Sequence, residues 1–239
     1  AEDGTVRHVP FDASACPMDR VAAPDGRTAS RRLVTLPPLA PGAYSVALPG
    51  AKAEQQRATL WLFGDSFVGD PGQPDRQGAR LVHNSIALSR CDERGQWQID
   101  YHWGADAQGE PRALFEPTAA SAANSYTWLF DGFVHADVLY VGLLEVSSDA
   151  SATALGFRLT GMQLARIANW RDAPRAWRIE TSRLANSARA FPGSALVVKG
   201  DHLYLFAFTE MQDGHQPRFL TRLELARLEA FPADLSGSL

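Results

Sequence analysis

The chain has 239 residues, of which 45% are hydrophobic and 21% charged, with a formal net charge of −4 and a pI of about 5.9. That is ordinary for a folded protein, and long enough for one large domain or two small ones around a sizeable core. The longest basic run is the pair Arg31-Arg32 and no apolar run approaches the ~20 residues of a membrane-spanning helix, so composition argues against a nucleic-acid surface, an anionic-membrane surface and a transmembrane segment.

The chain begins Ala-Glu-Asp-Gly without a Met, as a mature exported protein does after loss of a signal peptide, or as a trimmed chain does. The expectation is a secreted or periplasmic protein. Cys16 and Cys91 are an even pair, which in an exported chain can bridge the N-terminal arm to the first repeat or stay as two buried thiols. Residues 1–56 are rich in Pro, Gly, Ala and Asp and read as an arm packing on the remainder of the chain. Within it, residues 32–36 and 43–48 read as strands.

Next comes Thr59-Leu60-Trp61-Leu62-Phe63-Gly64-Asp65-Ser66, an apolar strand that breaks at a glycine and delivers two polar side chains to its mouth. Gly64-Asp65-Ser66 supports two readings. Ser66 is the nucleophile of a GDSL-type serine esterase, or Asp65 is a carboxylate near the centre of a β-propeller.

From residue 57 the chain repeats itself. The strand Leu60–Phe63 recurs as Leu139-Tyr140-Val141-Gly142 and Leu203-Tyr204-Leu205-Phe206. The last two come after matching lead-ins, Phe133–Asp137 and Val197–Asp201, each a strand and a tight polar turn. A second signature comes after each opening, at Asn84–Arg90, Thr160–Arg166 and Thr221–Arg227. Its alternate apolar positions predict a strand, although Leu220–Leu228 can also be drawn as a helix. Trp97–Tyr101 and Trp177–Thr181 alternate as outer strands. The predicted fold is all-β, a β-propeller with about three four-stranded blades over 57–125, 126–190 and 191–239. Open sheet edges are avoided in folded proteins, so this count implies a chain incomplete at its C-terminus, a second polypeptide completing the ring, or a larger contribution from the arm.

Trp61–Phe67, His83–Ala87, Asp131–Val134 ahead of Leu139–Val141, and Gly156–Gly161 resemble bacterial exported five-bladed propellers. That group is similar to arabinanase-like glycoside hydrolases and includes endo-D-arabinanases. The resemblance covers roughly residues 57–235 and implies hydrolysis of a polysaccharide or oligosaccharide. Members of the group continue for two further blades.

Glycoside hydrolysis needs two carboxyl groups flanking a sugar ring. Asp65 lies just past the first opening strand and Asp131 at the start of the second repeat; Glu145 and Glu210 each end an apolar strand. These four are the catalytic candidates. His83 and Asn84 precede the second signature, and Asn84 is a candidate for hydrogen bonding a sugar hydroxyl. Trp61, Trp128 and Tyr126 are candidates for stacking on a sugar face. No zinc spacing or phosphate-binding glycine loop occurs, so neither a metal nor a cofactor is expected. The esterase reading lacks the Gly-x-Asn-Asp block and C-terminal Asp-x-x-His of that class; Asp213-Gly214-His215 has the wrong spacing. A third reading is a propeller that binds carbohydrate or protein without catalysis.

Overall fold

The computed structural model describes residues 34–35, 43–49, 58–69, 78–91, 97–118, 124–149, 156–185, 190–209 and 217–238. In chain order the strands are β1 (Val34–Thr35), β2 (Tyr44–Leu48), β3 (Ala58–Phe63), β4 (Ser66–Val68), β5 (Arg80–Val82), β6 (Ser85–Cys91), β7 (Trp97–His102), β8 (Gly104–Ala105) and β9 (Pro111–Arg112). They continue as β10 (Ser125–His135), β11 (Val138–Ser148), β12 (Phe157–Ile167), β13 (Glu180–Ala185), β14 (Phe191–Lys199), β15 (His202–Phe208) and β16 (Arg218–Glu224), with the short helix α1 (Ala226–Ala230) after them. Cys16 and Glu210 lie outside the described residues, and so does the expected Cys16–Cys91 pairing.

The protein is all-β. Three sheets carry the architecture, in the orders β2-β3-β6-β7, β10-β11-β12-β13 and β14-β15-β16, and their strand pairs are antiparallel. Small sheets β1-β4-β5 and β8-β9 decorate the first. The hairpin turns agree with the sequence reading. Ala136 and Asp137 both have positive φ, the two-residue turn whose twist suits antiparallel strands, and it joins β10 to β11. Gly200 and Asp201 form the two-residue turn that joins β14 to β15, with positive φ at Gly200 alone.

The recurring segments at 60, 139 and 203 lie in β3, β11 and β15, each the second strand of its sheet rather than the first. The first strands are β2, β10 and β14, and β10 lies between the other two. Each repeat therefore starts one strand earlier than expected, and Tyr44–Leu48 belongs to the first sheet rather than to a separate arm. Two further boundaries differ. The third signature is strand only to Glu224, the last residue paired with β15, and then turns into α1, where Ala226-Arg227-Leu228-Glu229-Ala230 are mostly good helix formers. Trp177 comes directly after a 3₁₀ turn at Pro174–Ala176, and its outer strand starts at Glu180.

The second sheet is buried on both faces, which is why β11 is a nearly continuous apolar run. Leu139, Val141 and Leu143 pack toward Val46, Leu48, Leu60, Leu62 and Ile86 of the first sheet. Tyr140, Leu144 and Val146 join the core shared with Phe191, Leu196, Leu203 and Leu205 of the third. Each fully buried aliphatic side chain contributes about 1.5–3 kcal/mol. Beyond the third sheet the chain returns to the second, where Arg183 exchanges backbone hydrogen bonds with Ala233 and Leu235.

Candidate functional site

Asp65 occupies the short connection between β3 and β4, and His83 the connection between β5 and β6. Gly64 ends the apolar run, so the chain turns and leaves the carboxylate at the sheet edge. Facing them are Tyr126 and Trp128 on β10 of the second sheet. Alternation along the strand puts both on one face.

These four side chains meet. The Trp128 indole N–H donates to Asp65 Oδ1 at 2.8 Å, and His83 Nδ1 lies 3.0 Å from the same oxygen. An ionised carboxylate only accepts, so His83 Nδ1 carries the proton in this pair and Nε2 is the ring nitrogen left to meet a ligand. Neither bond uses Oδ2. The His83 ring stacks on Tyr126, with centroids 3.7 Å apart and planes at 16°. Trp128 meets Tyr126 edge-on at 5.7 Å and Phe157 at 5.1 Å, which extends the aromatic wall. The Asp65 side chain is 17% exposed and that of His83 36%, so the pair opens to solvent on one side. Burial, then the Asp65 charge, pushes the Tyr126 phenol up to about 12. It is therefore a neutral O–H group at physiological pH. The cluster offers an anchored carboxylate, an imidazole able to take or give a proton, and an aromatic surface.

The other candidates lie elsewhere. Asp131 sits at a bulge in β10, between Leu129 and Gly132. Its Oδ1 accepts from the Gly132 N–H and its Oδ2 from the Leu196 N–H of β14, both at 2.8 Å, so it stitches the second sheet to the third. Burial raises its pKa, and these two N–H groups oppose the rise. Glu145 is 5% exposed on β11 and pairs with Thr127, on the face away from Tyr126 and Trp128. Gly161 opposite leaves it room, since a Cβ there would sit 2.9 Å from Glu145 Oε2. Asp65 is thus the one catalytic candidate in the cluster among the described residues.

Asn84 is fully buried and has no hydrogen-bonding capacity left for a sugar. Its amide nitrogen donates to Phe115 O at 2.9 Å, Thr127 O at 2.9 Å and Thr127 Oγ1 at 3.1 Å. Its Oδ1 accepts from the N–H groups of Leu114 and Phe115 at 2.9 and 2.8 Å. The substrate-binding expectation for Asn84 gives way to a structural one, a tie between the first sheet's connection, the 114–115 loop and β10. Trp61 is half-buried on β3 and donates its indole N–H to Ser89 Oγ at 2.7 Å, within the first sheet. Ser66 is fully buried, and its Oγ bonds Gly64 O at 2.9 Å and Ser85 Oγ at 2.8 Å. A serine nucleophile needs access to substrate and a histidine base within hydrogen-bond reach, and among the described residues Ser66 has neither. Sequence patterning does not single out Phe157, because an aromatic opening a strand is indistinguishable there from core.

Fold and cluster together define an all-β protein of repeated antiparallel sheets, with a carboxylate–imidazole–aromatic site where the first sheet meets the second. A family model described as "Domain of unknown function (DUF5005)" matches residues 40–238, and the chain belongs to that family. No curated protein matches the chain. Among solved structures it is similar to a "putative hydrolase" from Bacteroides ovatus ATCC 8483, at TM-score 0.52 and 16% sequence identity, over 76% of this chain and 47% of that one. The chain therefore spans about half the length of that protein, and at this identity the likeness shows a shared fold.

Proposed function

We propose that the chain is part of an exported, hydrolase-like β-propeller that acts on a polysaccharide at the Asp65 cluster. The three sheets are its blades, with β2, β10 and β14 innermost. Asp65 is the carboxyl group that meets the glycosidic linkage, His83 Nε2 a second polar group toward the sugar, and the half-buried Tyr126 and Phe157 the surface on which the ring rests. Trp128, expected from sequence to stack on the sugar, is buried in the core and instead holds the carboxylate. The observation that carries this reading is the pair of donors on Asp65 Oδ1, from Trp128 and His83, which fixes one carboxylate at a partly open aromatic surface. The fold shared with a protein described as a "putative hydrolase" agrees with it.

A second reading is glycan binding without cleavage. It is favoured by the engagement of both Asp131 oxygens with backbone N–H groups, which leaves no second carboxylate facing Asp65 among the described residues. Release of reducing ends from bacterial and plant polysaccharides, arabinans included, separates the readings. Asp65→Asn keeps the shape of the side chain and abolishes cleavage, while Ser66→Ala retains most of it. Cleavage unchanged in Asp65→Asn would sink the hydrolytic role. Glycan binding without cleavage, lost in Asp65→Asn, establishes the second reading. Ester hydrolysis lost in Ser66→Ala, with no glycan activity in the parent, returns the site to the esterase class.

A further inference from the structure

The outer strand of the third sheet is unlike those of its neighbours. Among the described residues the first two sheets have four strands and the third has three, so β16 is the edge of the third. Among the described residues β16 pairs with β15 alone, in seven consecutive pairs from His202↔Glu224 to Phe208↔Arg218 with no shift of register. Of the devices that usually blunt an edge, Arg218-Phe219-Leu220-Thr221-Arg222-Leu223-Glu224 carries charged side chains, but it contains no proline, lysine or bulge. Phe219 is 39% exposed and Leu220 54%. A straight edge of this kind offers a row of backbone donors and acceptors to another strand.

We propose that the occupant is β16 of a second copy of this chain, paired antiparallel about a two-fold axis through Thr221. The charges select this register. A two-fold axis perpendicular to the sheet must pass through a residue position, because a one-residue slip would put the two copies' side chains on opposite faces. Centred on Thr221, all seven residues pair. Arg218 of each copy then faces Glu224 of the other, Thr221 faces itself, and Leu220 faces the aliphatic stem of Arg222. Centred on Leu220, Arg218 would face Arg222. Centred on Arg222, that residue would face itself. Both alternatives oppose like charges. Arg218 and Glu224 are exposed and share a face of the strand, as the double ion pair requires. The three-stranded sheets of two copies become one six-stranded sheet. The Asp65 cluster, on the first and second sheets, takes no part, so this inference is independent of the proposed function.

The test is the oligomeric state of the chain over a wide concentration range, by light scattering and sedimentation. The native chain forms a dimer. Arg218→Glu or Glu224→Arg alone turns two attractive oppositions into repulsive ones and weakens the dimer by about tenfold. The double variant Arg218→Glu with Glu224→Arg restores the native affinity. Both positions are exposed, so none of these changes threatens the fold. A native chain that stays monomeric, as when another segment of the polypeptide covers the edge, overturns the proposal. So does a dimer indifferent to the single reversals, or a double variant no tighter than either single one.

Discussion

Replacing Asn84 by Ala tests whether this residue is a tie or a ligand contact. The side chain supplies two acceptor contacts, to the N–H groups of Leu114 and Phe115, and donates to Phe115 O and to Thr127 O and Oγ1. Alanine removes all of them. Phe115 O keeps one donor, the Thr127 hydroxyl at 2.8 Å, so its loss is partial. The Leu114 and Phe115 N–H groups lose their acceptor. Phe115 is 1% exposed, so water cannot substitute there. A buried group left unsatisfied costs about 1–3 kcal/mol. One orphan deep in the core and one at partial depth, with the lost donors, give a destabilisation of roughly 2–5 kcal/mol. That is a large share of the ~5–15 kcal/mol by which domains are stable. Asn84→Asp is expected to be no milder, because it keeps the acceptors but turns a carboxylate oxygen toward two carbonyls. Urea unfolding monitored by tryptophan fluorescence reads the change as a shift of midpoint. A loss below about 1 kcal/mol, with glycan affinity reduced, would refute the tie and restore Asn84 as a ligand residue.

Burial, then the Asp131 charge, pushes the Tyr44 phenol up to about 12, and burial, then Asp65, does the same for Tyr126. Both hold their protons in the folded state over the range where an unfolded tyrosine, near pKa ~10, loses its own. The folded state then binds more protons, so stability is lost as pH rises from about 10 to 12. A Tyr44→Phe, Tyr126→Phe double variant should lose visibly less over that window in unfolding titrations, and an equal loss would contradict the assignment. At the β10 bulge, Gly132→Ala places a Cβ 2.7 Å from the Tyr140 carbonyl oxygen and 3.0 Å from Val46 Cγ2. Backbone cannot swing aside as a side chain can, so about 3 kcal/mol, the upper end of overpacking costs, is expected in the same unfolding assay.

The repeating strands and their hairpin turns were legible because they are local. Alternation, a polar two-residue turn and an apolar run sit within a dozen residues of one another. The first strand of each sheet was harder to place. Tyr44–Leu48 alternates well, yet nothing in its own residues says that it pairs with Ala58–Phe63 rather than closing an arm. Asp65 and His83 were recognisable as polar groups beside strand ends, and Trp128 as an aromatic on a strand. Their meeting was not, since the contacts join residues 18 and 63 positions apart. Asp131 misled for a related reason. An Asp-Gly after an apolar run reads as a site or a turn, whereas its partner is a backbone N–H of Leu196 that only the third sheet can supply.

The residues of the tie and the residues of the site alternate along the same two segments. Asn84 holds Thr127, while His83, one position earlier, stacks on Tyr126, one position earlier on β10. Trp128, one position later, reaches Asp65. On β10 the odd member enters the buried network between the sheets, and the even members face the carboxylate. The buried network thus fixes the relative height and register of the two sheets at the point where the site needs it. A ring stack at 3.7 Å and two donors on one oxygen tolerate little sliding between sheets. The Gly64-Asp65-Ser66 block divides in the same way. Ser66 turns inward to Ser85 and anchors the connection, and Asp65 turns outward. A motif that resembles a serine nucleophile block is here a support for its neighbouring carboxylate, because the buried position falls to the hydroxyl.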